Sequence, residues 1–220
     1  MRRTGYQRKE IRGSAAGRPG RVRLIAGRFR GRRIAVAPVP GLRPTPERTR
    51  ETLFNWLQGR IEGARVLDLF AGSGALGFEA LSRGADRVVL VEQDRAAHAT
   101  LQRTAAELDP ERTEVVRDDA LRWPRVAAEA FDLVFLDPPF AAGLAVAALA
   151  RLGSAVTLAT DARVYCEVRA SSPPPWETAA AGAWEVVRET RAGDSRAALL
   201  RQRPPRVHVS GAPASVQDPV

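Results

Sequence analysis

Residues 66–77, VLDLFAGSGALG, constrain the fold more than any other part of this chain. Apolar residues surround one acid, Asp68, and glycines then follow at positions 72, 74 and 77. Glycines in the spacing G-x-G-x-x-G let the backbone turn tightly, approach a ligand closely and pack the next helix on a sheet. The stretch therefore predicts a buried strand, a glycine turn and a helix whose N-terminal amides face a nucleotide-like cofactor, although the spacing alone also suits a purely structural turn.

Two classes of cofactor suit this loop. In a dinucleotide-binding domain the pyrophosphate lies on the helix N-terminus, and an acid about 20 residues further along, here Glu92, binds the ribose. Asp68, however, lies inside the first strand, where a carboxylate beside the loop suits a cationic cofactor better than a pyrophosphate. S-adenosylmethionine carries an ammonium and a sulfonium group and no phosphate, so Asp68 favours it over a nicotinamide dinucleotide.

A second motif, residues 131–140, decides between the two classes. A hydrophobic strand ends in Asp137, and Pro138 and Pro139 then fix an extended turn. Asp137 and the Pro138 carbonyl are suited to accept hydrogen bonds from one planar amino group, while Phe140 offers a face for a base to stack on. Amino groups of nucleobases are poor nucleophiles because their lone pair is delocalised, and two acceptors would direct it towards a methyl donor. The alternative is a turn that only ends the strand.

Together, the two motifs resemble the amino-methyltransferases that use S-adenosylmethionine to methylate exocyclic nitrogens of adenine or guanine. They leave DNA, RNA and protein glutamine open as substrates. Residues 23–57, with the segments RLIAGRFRGRR and GLRPTPERTRETLFNWL, closely resemble the RsmD family, which methylates a guanine N2 of 16S ribosomal RNA. The resemblance covers most of the chain, residues 21–203. It implies an α/β fold with the doubly wound, seven-stranded, Rossmann-like sheet of class I S-adenosylmethionine-dependent methyltransferases.

The motifs and the resemblance give the expected site residues. Glu92 ends the second strand, where a parallel sheet binds ligands, and is expected to accept both ribose hydroxyls. By resemblance Asp119 contacts the amino group of the cofactor's adenine. It is preferred to Asp118 because a helix is expected to follow Asp119 directly. The catalytic set is Asp137, Pro138 and Phe140. The cofactor-binding set is Asp68, Phe70, Ala71, Gly72, Gly74, Glu92 and Asp119.

Positive charge is concentrated at the N-terminus. The chain carries +9 overall, and because residues 1–50 hold +13 of it, the remainder is acidic at −4. A basic arm on a mildly acidic domain predicts contact with a phosphate backbone, the alternative being a solvated arginine-rich tail, above all for residues 1–20. The expected RNA contacts are Arg28, Arg30, Arg32 and Arg33, together with Arg43 and Arg50, which the resemblance places beside the cofactor and base.

The chain order predicts a basic β-hairpin from residues 22–26 and 34–37, then a proline-rich connector. A helix follows, with Thr45 as its N-cap and Pro46 at its first position. Strands and helices alternate from residue 66, residues 173–176 form a rigid surface loop, and residues 184–201 form a closing hairpin. The expected organisation is a disordered basic tail over 1–20, an RNA-binding extension over 21–60, a methyltransferase domain over 61–203 and a disordered tail over 204–220.

Several classes of protein are disfavoured. One cysteine, Cys166, allows no internal disulfide and suggests no metal cluster. The chain shows neither an apolar run of membrane-spanning length nor the apolar core of a secretory signal, so we expect a cytoplasmic protein. We also expect it to be a monomer and to need no metal.

The predicted function is transfer of a methyl group from S-adenosylmethionine to the N2 amino group of a guanine in 16S ribosomal RNA, within an assembling small subunit. No strong general base is apparent, which suits a reaction dominated by positioning. Two alternatives stay open: an adenine-N6 methyltransferase acting on DNA or RNA, and a non-catalytic RNA-binding assembly factor.

Overall fold

The computed structural model describes residues 20–123, 130–140, 143–155, 158–177 and 183–203. Apart from Gly20, the two predicted disordered tails lie outside these ranges. The strands are β1 Arg21–Arg23, β2 Arg33–Ala35, β3 Arg65–Asp68, β4 Arg87–Val91, β5 Thr113–Val116, β6 Phe131–Leu136, β7 Leu158–Arg169, β8 Trp184–Ala192 and β9 Ser195–Gln202. The helices are α1 Glu47–Trp56, α2 Ala75–Ser82, α3 Arg95–Leu108 and α4 Leu144–Ala155, with a 3₁₀ turn at Pro175–Glu177.

Seven strands form one twisted sheet in the order β5-β4-β3-β6-β7-β9-β8. The first five in this order are parallel, and β9 pairs antiparallel with both β7 and β8. The chain runs outwards from β3 to β5 and then returns to β6 on the other side of β3. Ligands bind at such a reversal, beyond the carboxyl ends of the strands. The predicted fold class is confirmed, and β1 and β2 form the predicted N-terminal hairpin.

Alternate residues along the strands contribute to two hydrophobic cores. The front core joins the hairpin, α1, α2 and α3, through side chains that include Leu24, Leu53, Phe54, Phe78 and Leu101. The back core joins α4 and the closing hairpin to the sheet, through side chains that include Leu149, Leu152, Trp176 and Trp184. Since the N-terminal hairpin shares the front core with the sheet, the RNA-binding extension expected over residues 21–60 is packed on the catalytic sheet.

A buried glutamate docks this extension. Glu79 in α2 is fully buried, and its carboxylate accepts the backbone N–H groups of Ile25 and Ala26 at 2.8 and 3.1 Å. Arg83 donates to the same carboxylate at 2.8 Å, and Arg50 pairs with it at 3.5 Å. A buried carboxylate is stable only with such partners, so Glu79 ties the loop that follows β1 to α2.

Arg50, expected to contact RNA, has a structural position instead. It is only 3% exposed, and its guanidinium donates to the carbonyls of Thr45 at 3.2 Å and Arg23 at 3.1 Å. Burial lowers its pKa, an effect that the charge of Glu79 opposes. The expected role is therefore corrected: Arg50 braces the hairpin against α1.

Two local predictions are wrong because long-range contacts override local pattern. Thr45 does not cap α1, whose N-cap is Pro46 without a side-chain hydrogen bond, because the Thr45 hydroxyl donates to Asp137. The segment 173–176 is not a surface loop, since Trp176 is 3% exposed and packs in the back core.

Within the described ranges, no helix is long and apolar enough to cross a membrane. The His, Cys, Asp and Glu side chains of the same residues form no cluster suited to a metal ion. Cys166 is a free, buried thiol in β7.

Candidate active site

The carboxyl ends of β3, β4, β6 and β7 bring four acidic side chains to one edge of the sheet. Asp68 ends β3, Glu92 follows β4, Asp137 follows β6, and Glu167 lies near the end of β7. Since β3 and β6 are neighbouring parallel strands at the centre of the sheet, the glycine loop and the Asp-Pro-Pro-Phe turn lie side by side. The two motifs therefore form the two halves of one site, a cofactor half and an acceptor half.

The glycine turn is built for close packing. Gly74 adopts a left-handed conformation with φ of 74°, and a Cβ at that position would lie 2.4 Å from the Phe78 ring. Gly77 sits against β4, where a Cβ would lie 2.3 Å from Leu90 Cδ2. No larger residue fits at either position without displacing its neighbours, so these glycines bring α2 close to the sheet.

Asp68 is held at the floor of the loop. It is 2% exposed, and its Oδ2 accepts the N–H of Gly77 at 3.1 Å. Burial raises the pKa of Asp68 to about 7, the Glu92 charge also raises it, and the hydrogen bonds from the Gly77 and Phe70 N–H groups oppose the shift. Part of the Asp68 population is therefore neutral near physiological pH, and a bound cation would favour its ionised form.

Glu92 closes the loop from the other side. Its Oε2 accepts the N–H of Gly72 at 2.9 Å, and its Oε1 accepts the N–H of Asp94 at 2.7 Å. Ala71 is buried beneath the turn and donates its N–H to the Val91 carbonyl at 3.0 Å. Glu92 is only partly buried, and each carboxylate oxygen retains a second lone pair, so it remains able to accept ribose hydroxyls.

This donor set fits a cation better than a pyrophosphate. The Gly77 amide, in the first turn of α2, would face a pyrophosphate in a dinucleotide site but donates to Asp68 here. Two carboxylates, Asp68 and Glu92, then flank the loop, and like charges repel a phosphate. The residues present fit S-adenosylmethionine, with its ammonium and sulfonium groups.

The other predicted cofactor residues lie around this pair. Phe70 packs at the margin of the back core. Asp119 follows β5, the strand next to β4, and its Oδ1 accepts the N–H of Leu121 at 2.9 Å in a local turn. That turn continues to Trp123, where this described range ends, so the helix expected directly after Asp119 is absent from residues 120–123.

Asp137 is the centre of the acceptor half. Its Oδ2 accepts a hydrogen bond from Thr45 Oγ1 at 2.7 Å. Burial raises the pKa of Asp137 to about 8, and the charges of Glu167 and Asp68 add to the shift, while the hydrogen bond from Thr45 opposes it. The side chain is thus fixed by the connector between β2 and α1, residues 36–46, and is poised to exchange a proton near neutral pH.

The turn after Asp137 separates a buried residue from an exposed one. Pro138 is buried, whereas Phe140 is 42% exposed, although it is a large apolar side chain. The Arg169 guanidinium lies 5.5 Å from the centroid of the Phe140 ring. A cavity of about 170 Å³ opens beside them, and Pro138, Phe140, Glu167 and Arg169 are among its lining residues. Phe140 thus presents an aromatic face at a small cavity next to Asp137.

The predicted RNA-contacting arginines divide into two groups. Arg28 pairs with Asp109, and Arg32 donates to the Glu107 carbonyl at 3.5 Å, so both help to hold the hairpin on the C-terminal end of α3. Arg30, Arg33 and Arg43 are exposed, and within the described part of the chain they make no ion pair. The second group remains available to a phosphate backbone.

A cleft of about 400 Å³ lies between the hairpin and the connector. Arg21, Arg23 and Arg33 line one side, and Thr45, which bonds Asp137, lies on the other. Sequence reasoning missed Arg21 and Arg23, although the alternation of Arg21, Val22 and Arg23 is the period-2 signal of a strand with one polar face. Thr45 therefore lies both in this arginine-lined cleft and against Asp137 of the acceptor half.

Sequence reasoning also missed Glu79 and Glu167. An acid inside an otherwise apolar element is the signal that both share: Glu79 interrupts ALGFEALS, and Glu167 interrupts VYCEV. A buried acid demands partners, so this pattern indicates either a structural hub or a site residue.

Known proteins have sequences related to that of this chain. The sequence profile of the family described as Conserved hypothetical protein 95 matches residues 22–201. The ribosomal RNA small subunit methyltransferase D of Escherichia coli K12 is 42% identical over 174 residues, which cover 79% of this chain and 86% of that relative. The Haemophilus influenzae protein of the same name is 43% identical over 159 residues, covering 70% and 82%.

Solved structures agree with the sequence relatives. A structure from Escherichia coli, described provisionally as the methyltransferase yhhF, matches with a TM-score of 0.72 and 40% identity, covering 83% of this chain and 98% of that one.

Proposed function

Since this chain belongs to the RsmD family of ribosomal RNA methyltransferases, we propose that it transfers a methyl group to the exocyclic N2 amino group of a guanine in 16S ribosomal RNA. The class I fold and the methyltransferase relatives imply S-adenosylmethionine as the methyl donor. One observation carries the proposal: Asp137, fixed by Thr45 at the end of β6, lies on the strand next to the cofactor loop. A carboxylate at that position is suited to orient an amine towards the donor.

The cofactor half provides the residues that would hold S-adenosylmethionine. Asp68 would attract its positive charge, Glu92 would accept its ribose hydroxyls, and the Gly72–Gly74 turn would approach it closely. When bound, the cofactor supplies a methyl group that its sulfonium activates for in-line transfer. Positioning of this kind is worth several kcal/mol because it replaces a chance encounter by a fixed geometry.

The acceptor half would orient and deprotonate the amine. The Asp137 carboxylate would accept one N–H of the guanine amino group, and the Pro138 carbonyl would accept the other. Phe140 would stack on the base taken out of the RNA. A carboxyl with a pKa of about 8 is also matched to take the proton that the nitrogen loses on methylation. Asp137 would therefore serve as orienting group and as proton acceptor.

The cationic cleft would hold the RNA strand that leads to this site. Arg21, Arg33 and Thr45 are among the residues that line it. A double variant, Arg21→Ala with Arg33→Ala, should weaken RNA binding and reduce its log–log salt slope by roughly 0.7 to 0.9 per lost phosphate contact. The matched control is Arg188→Ala with Arg191→Ala, which removes the same charge from exposed positions of β8. Equal losses from both pairs would mean that the cleft is not the RNA path.

The cellular context belongs to the same proposal. We place the protein in the cytoplasm as a monomer that acts on 16S ribosomal RNA in an assembling small subunit. Support comes from the basic extension, which offers arginines to a large polyanion, and from relatives named for the small ribosomal subunit.

The decisive experiment measures the methylated nucleoside. Unmethylated 16S ribosomal RNA, free or in small subunits, is incubated with the protein and methyl-labelled S-adenosylmethionine, and nucleosides are identified by mass spectrometry. The expected product is N2-methylguanosine at one position. Labelled N6-methyladenosine would instead establish the adenine-specific alternative, and RNA binding without any label would establish the assembly-factor alternative.

A further inference from the structure

We propose that Glu167 selects guanine at this site by accepting a hydrogen bond from the N1–H group of the target base. The proposal rests on the proposed function and goes beyond it, because it assigns the choice between guanine and adenine to one side chain. Four observations carry it: strand register, burial, the partners of the carboxylate and the cavity beside it.

Register places Glu167 beside Asp137. β6 and β7 pair in parallel, and their last registered pair is Leu136 with Cys166. The next residues along the two strands are Asp137 and Glu167, on neighbouring strands spaced about 4.8 Å apart. Paired residues of parallel strands point to the same face of the sheet. The two carboxyl groups therefore stand side by side at the carboxyl edge of the sheet.

The Glu167 side chain is held in place by hydrogen bonds, but its carboxylate oxygens can accept more of them. It is 5% exposed, its Oε2 accepts the Tyr165 hydroxyl at 2.7 Å, and its Oε1 accepts the Ser195 hydroxyl at 2.5 Å. Both of these partners are neutral, and each carboxylate oxygen can accept a second hydrogen bond. A buried carboxylate held by two hydroxyls is costly, and a donor on a bound ligand would offset part of that cost.

The cavity beside Glu167 suits a single base. It measures about 170 Å³, and Phe140, Pro138 and Glu167 line it together with Arg169. Pockets that enclose a whole drug-sized ligand measure roughly 300 to 1,000 Å³, so this one admits a ring system rather than a nucleotide. A base that stacks on Phe140 there would lie against Glu167, and register places Asp137 beside Glu167 on the neighbouring strand.

The edges of the two purines differ where Glu167 lies. Guanine presents two adjacent kinds of donor, the N1–H and the N2 amino group, whereas adenine presents an N1 acceptor next to its N6 amino group. Asp137 and Glu167 side by side match the donor–donor edge. With adenine, the N1 lone pair would face the Glu167 carboxylate, and the repulsion between these two acceptors rejects that base.

The test compares guanine with 2-aminopurine at the target position. 2-Aminopurine keeps the amino group on C2 but has an unprotonated N1, so it lacks the donor that Glu167 would read. The methylated position is first mapped on natural RNA, and RNA with either base there is then assembled by ligation. Single-turnover methylation rates are measured for the wild type, for Glu167→Gln and for Glu185→Gln, which alters a carboxylate that pairs with Arg201 on β9.

Wild-type protein should methylate the guanine RNA about tenfold to a hundredfold faster than the 2-aminopurine RNA, the usual range for one well-placed base contact. Glu167→Gln should lose most of this ratio, because its amide N–H₂ donates to an unprotonated N1. Glu185→Gln should keep the wild-type ratio. The missing O6 of 2-aminopurine affects wild type and variants alike, so the change in ratio reports the N1 contact.

Three outcomes overturn the proposal. If Glu167→Gln slows the methylation of both RNAs equally, Glu167 is a structural residue. Calorimetric binding of S-adenosylmethionine verifies that the variant is folded. If the variant does not fold, wild-type protein that methylates both RNAs at the same rate still contradicts N1 recognition. Rates and a ratio that are both unchanged in Glu167→Gln would do the same. Failure of the wild type to methylate any guanine is a different result, since it removes the proposed function itself.

Discussion

The two halves of the active site are held by different kinds of bond. In the cofactor half, Asp68 accepts a backbone N–H from Gly77, nine positions along the chain. In the acceptor half, Asp137 accepts a side-chain hydroxyl from Thr45, 92 positions away. A backbone donor survives any substitution that preserves the fold, whereas a side-chain donor is lost with its residue. The hydrogen bonds to Asp68 and Glu92 in the cofactor half are thus local, whereas the hydrogen bond to Asp137 in the acceptor half depends on how the N-terminal extension docks.

If the N-terminal extension binds RNA as proposed, this dependence couples RNA binding to methyl transfer. Thr45 belongs to the connector between the hairpin and α1, and the same connector places Leu42 over the glycine loop, where a Cβ on Gly72 would lie 2.9 Å from Leu42 Cδ1. One segment therefore reaches both halves. Substitutions that loosen this connector should therefore disturb the acceptor half before the cofactor half.

The largest expected effect comes from Glu79→Ala, which removes the carboxylate that docks the extension. It leaves Arg50 as an uncompensated buried charge and two backbone N–H groups without an acceptor, so the free energy of unfolding should fall by about 3 to 5 kcal/mol. Urea unfolding followed by circular dichroism measures this loss. The matched control, Glu62→Ala at an exposed position, should change stability by less than about 0.5 kcal/mol. A Glu79→Ala protein as stable as wild type would mean that the extension docks by apolar packing alone.

Asp137→Ala should separate the two halves most cleanly. It removes one acceptor of the amine but leaves the turn and the glycine loop intact, so S-adenosylmethionine binding should persist. Loss of a well-aimed polar contact in a transition state costs about 3 to 4 kcal/mol, or on the order of a hundredfold to a thousandfold in rate. Single-turnover methylation at saturating RNA and cofactor measures it. A variant as fast as wild type would remove this carboxylate from the mechanism.

Phe140 offers a graded companion to that experiment. Phe140→Ala should slow methylation less than Asp137→Ala, since stacking of a base on an aromatic ring is worth about 1 to 3 kcal/mol. Phe140→Tyr should retain much of the rate because the ring face survives. If Phe140→Tyr lowers the methylation rate as much as Phe140→Ala does, the site needs the shape of phenylalanine and not its aromatic face.

The contrast between the halves also explains how far the sequence predicted them. The family, the fold class and the strand–turn–helix unit around Gly74 follow from contiguous motifs, because local spacing carries their physics. The hydrogen bond from Thr45 to Asp137 joins segments far apart in sequence, so the local pattern of Thr45 before Pro46 indicated an N-cap instead. The resemblance placed Arg50 at the RNA, and no local pattern indicated its partner Glu79, which lies in another element.

Asp68 makes the cofactor half sensitive to pH. Its pKa is raised to about 7, so its carboxylate forms as the pH rises through that value, and the cationic cofactor should bind more tightly above it than below it. Binding should release a proton, because the cation lowers the pKa of Asp68 towards its ordinary value. Calorimetry in buffers of different ionisation enthalpy measures both effects. Asp68→Asn should bind more weakly and lose the pH dependence, whereas a dependence that survives in Asp68→Asn would mean that Asp68 is not the titrating group.

The smallest effect, and the most specific for the acceptor half, is expected from Thr45→Val. This variant keeps the side-chain shape and removes one hydrogen bond to the Asp137 carboxyl group, worth about 1 kcal/mol, so methylation near neutral pH should slow by about fivefold. The Thr45 hydroxyl lowers the pKa of Asp137, so its removal should raise that pKa further above about 8 and shift the rising limb of the pH–rate profile to higher pH. Thr45→Ser retains the hydroxyl and should restore the wild-type profile. Cofactor affinity should be unchanged in both variants, because Asp68 and Glu92 keep their backbone donors. A uniform slowing of Thr45→Val at every pH, without a shifted profile, would mean that Thr45 supports the connector and does not tune Asp137.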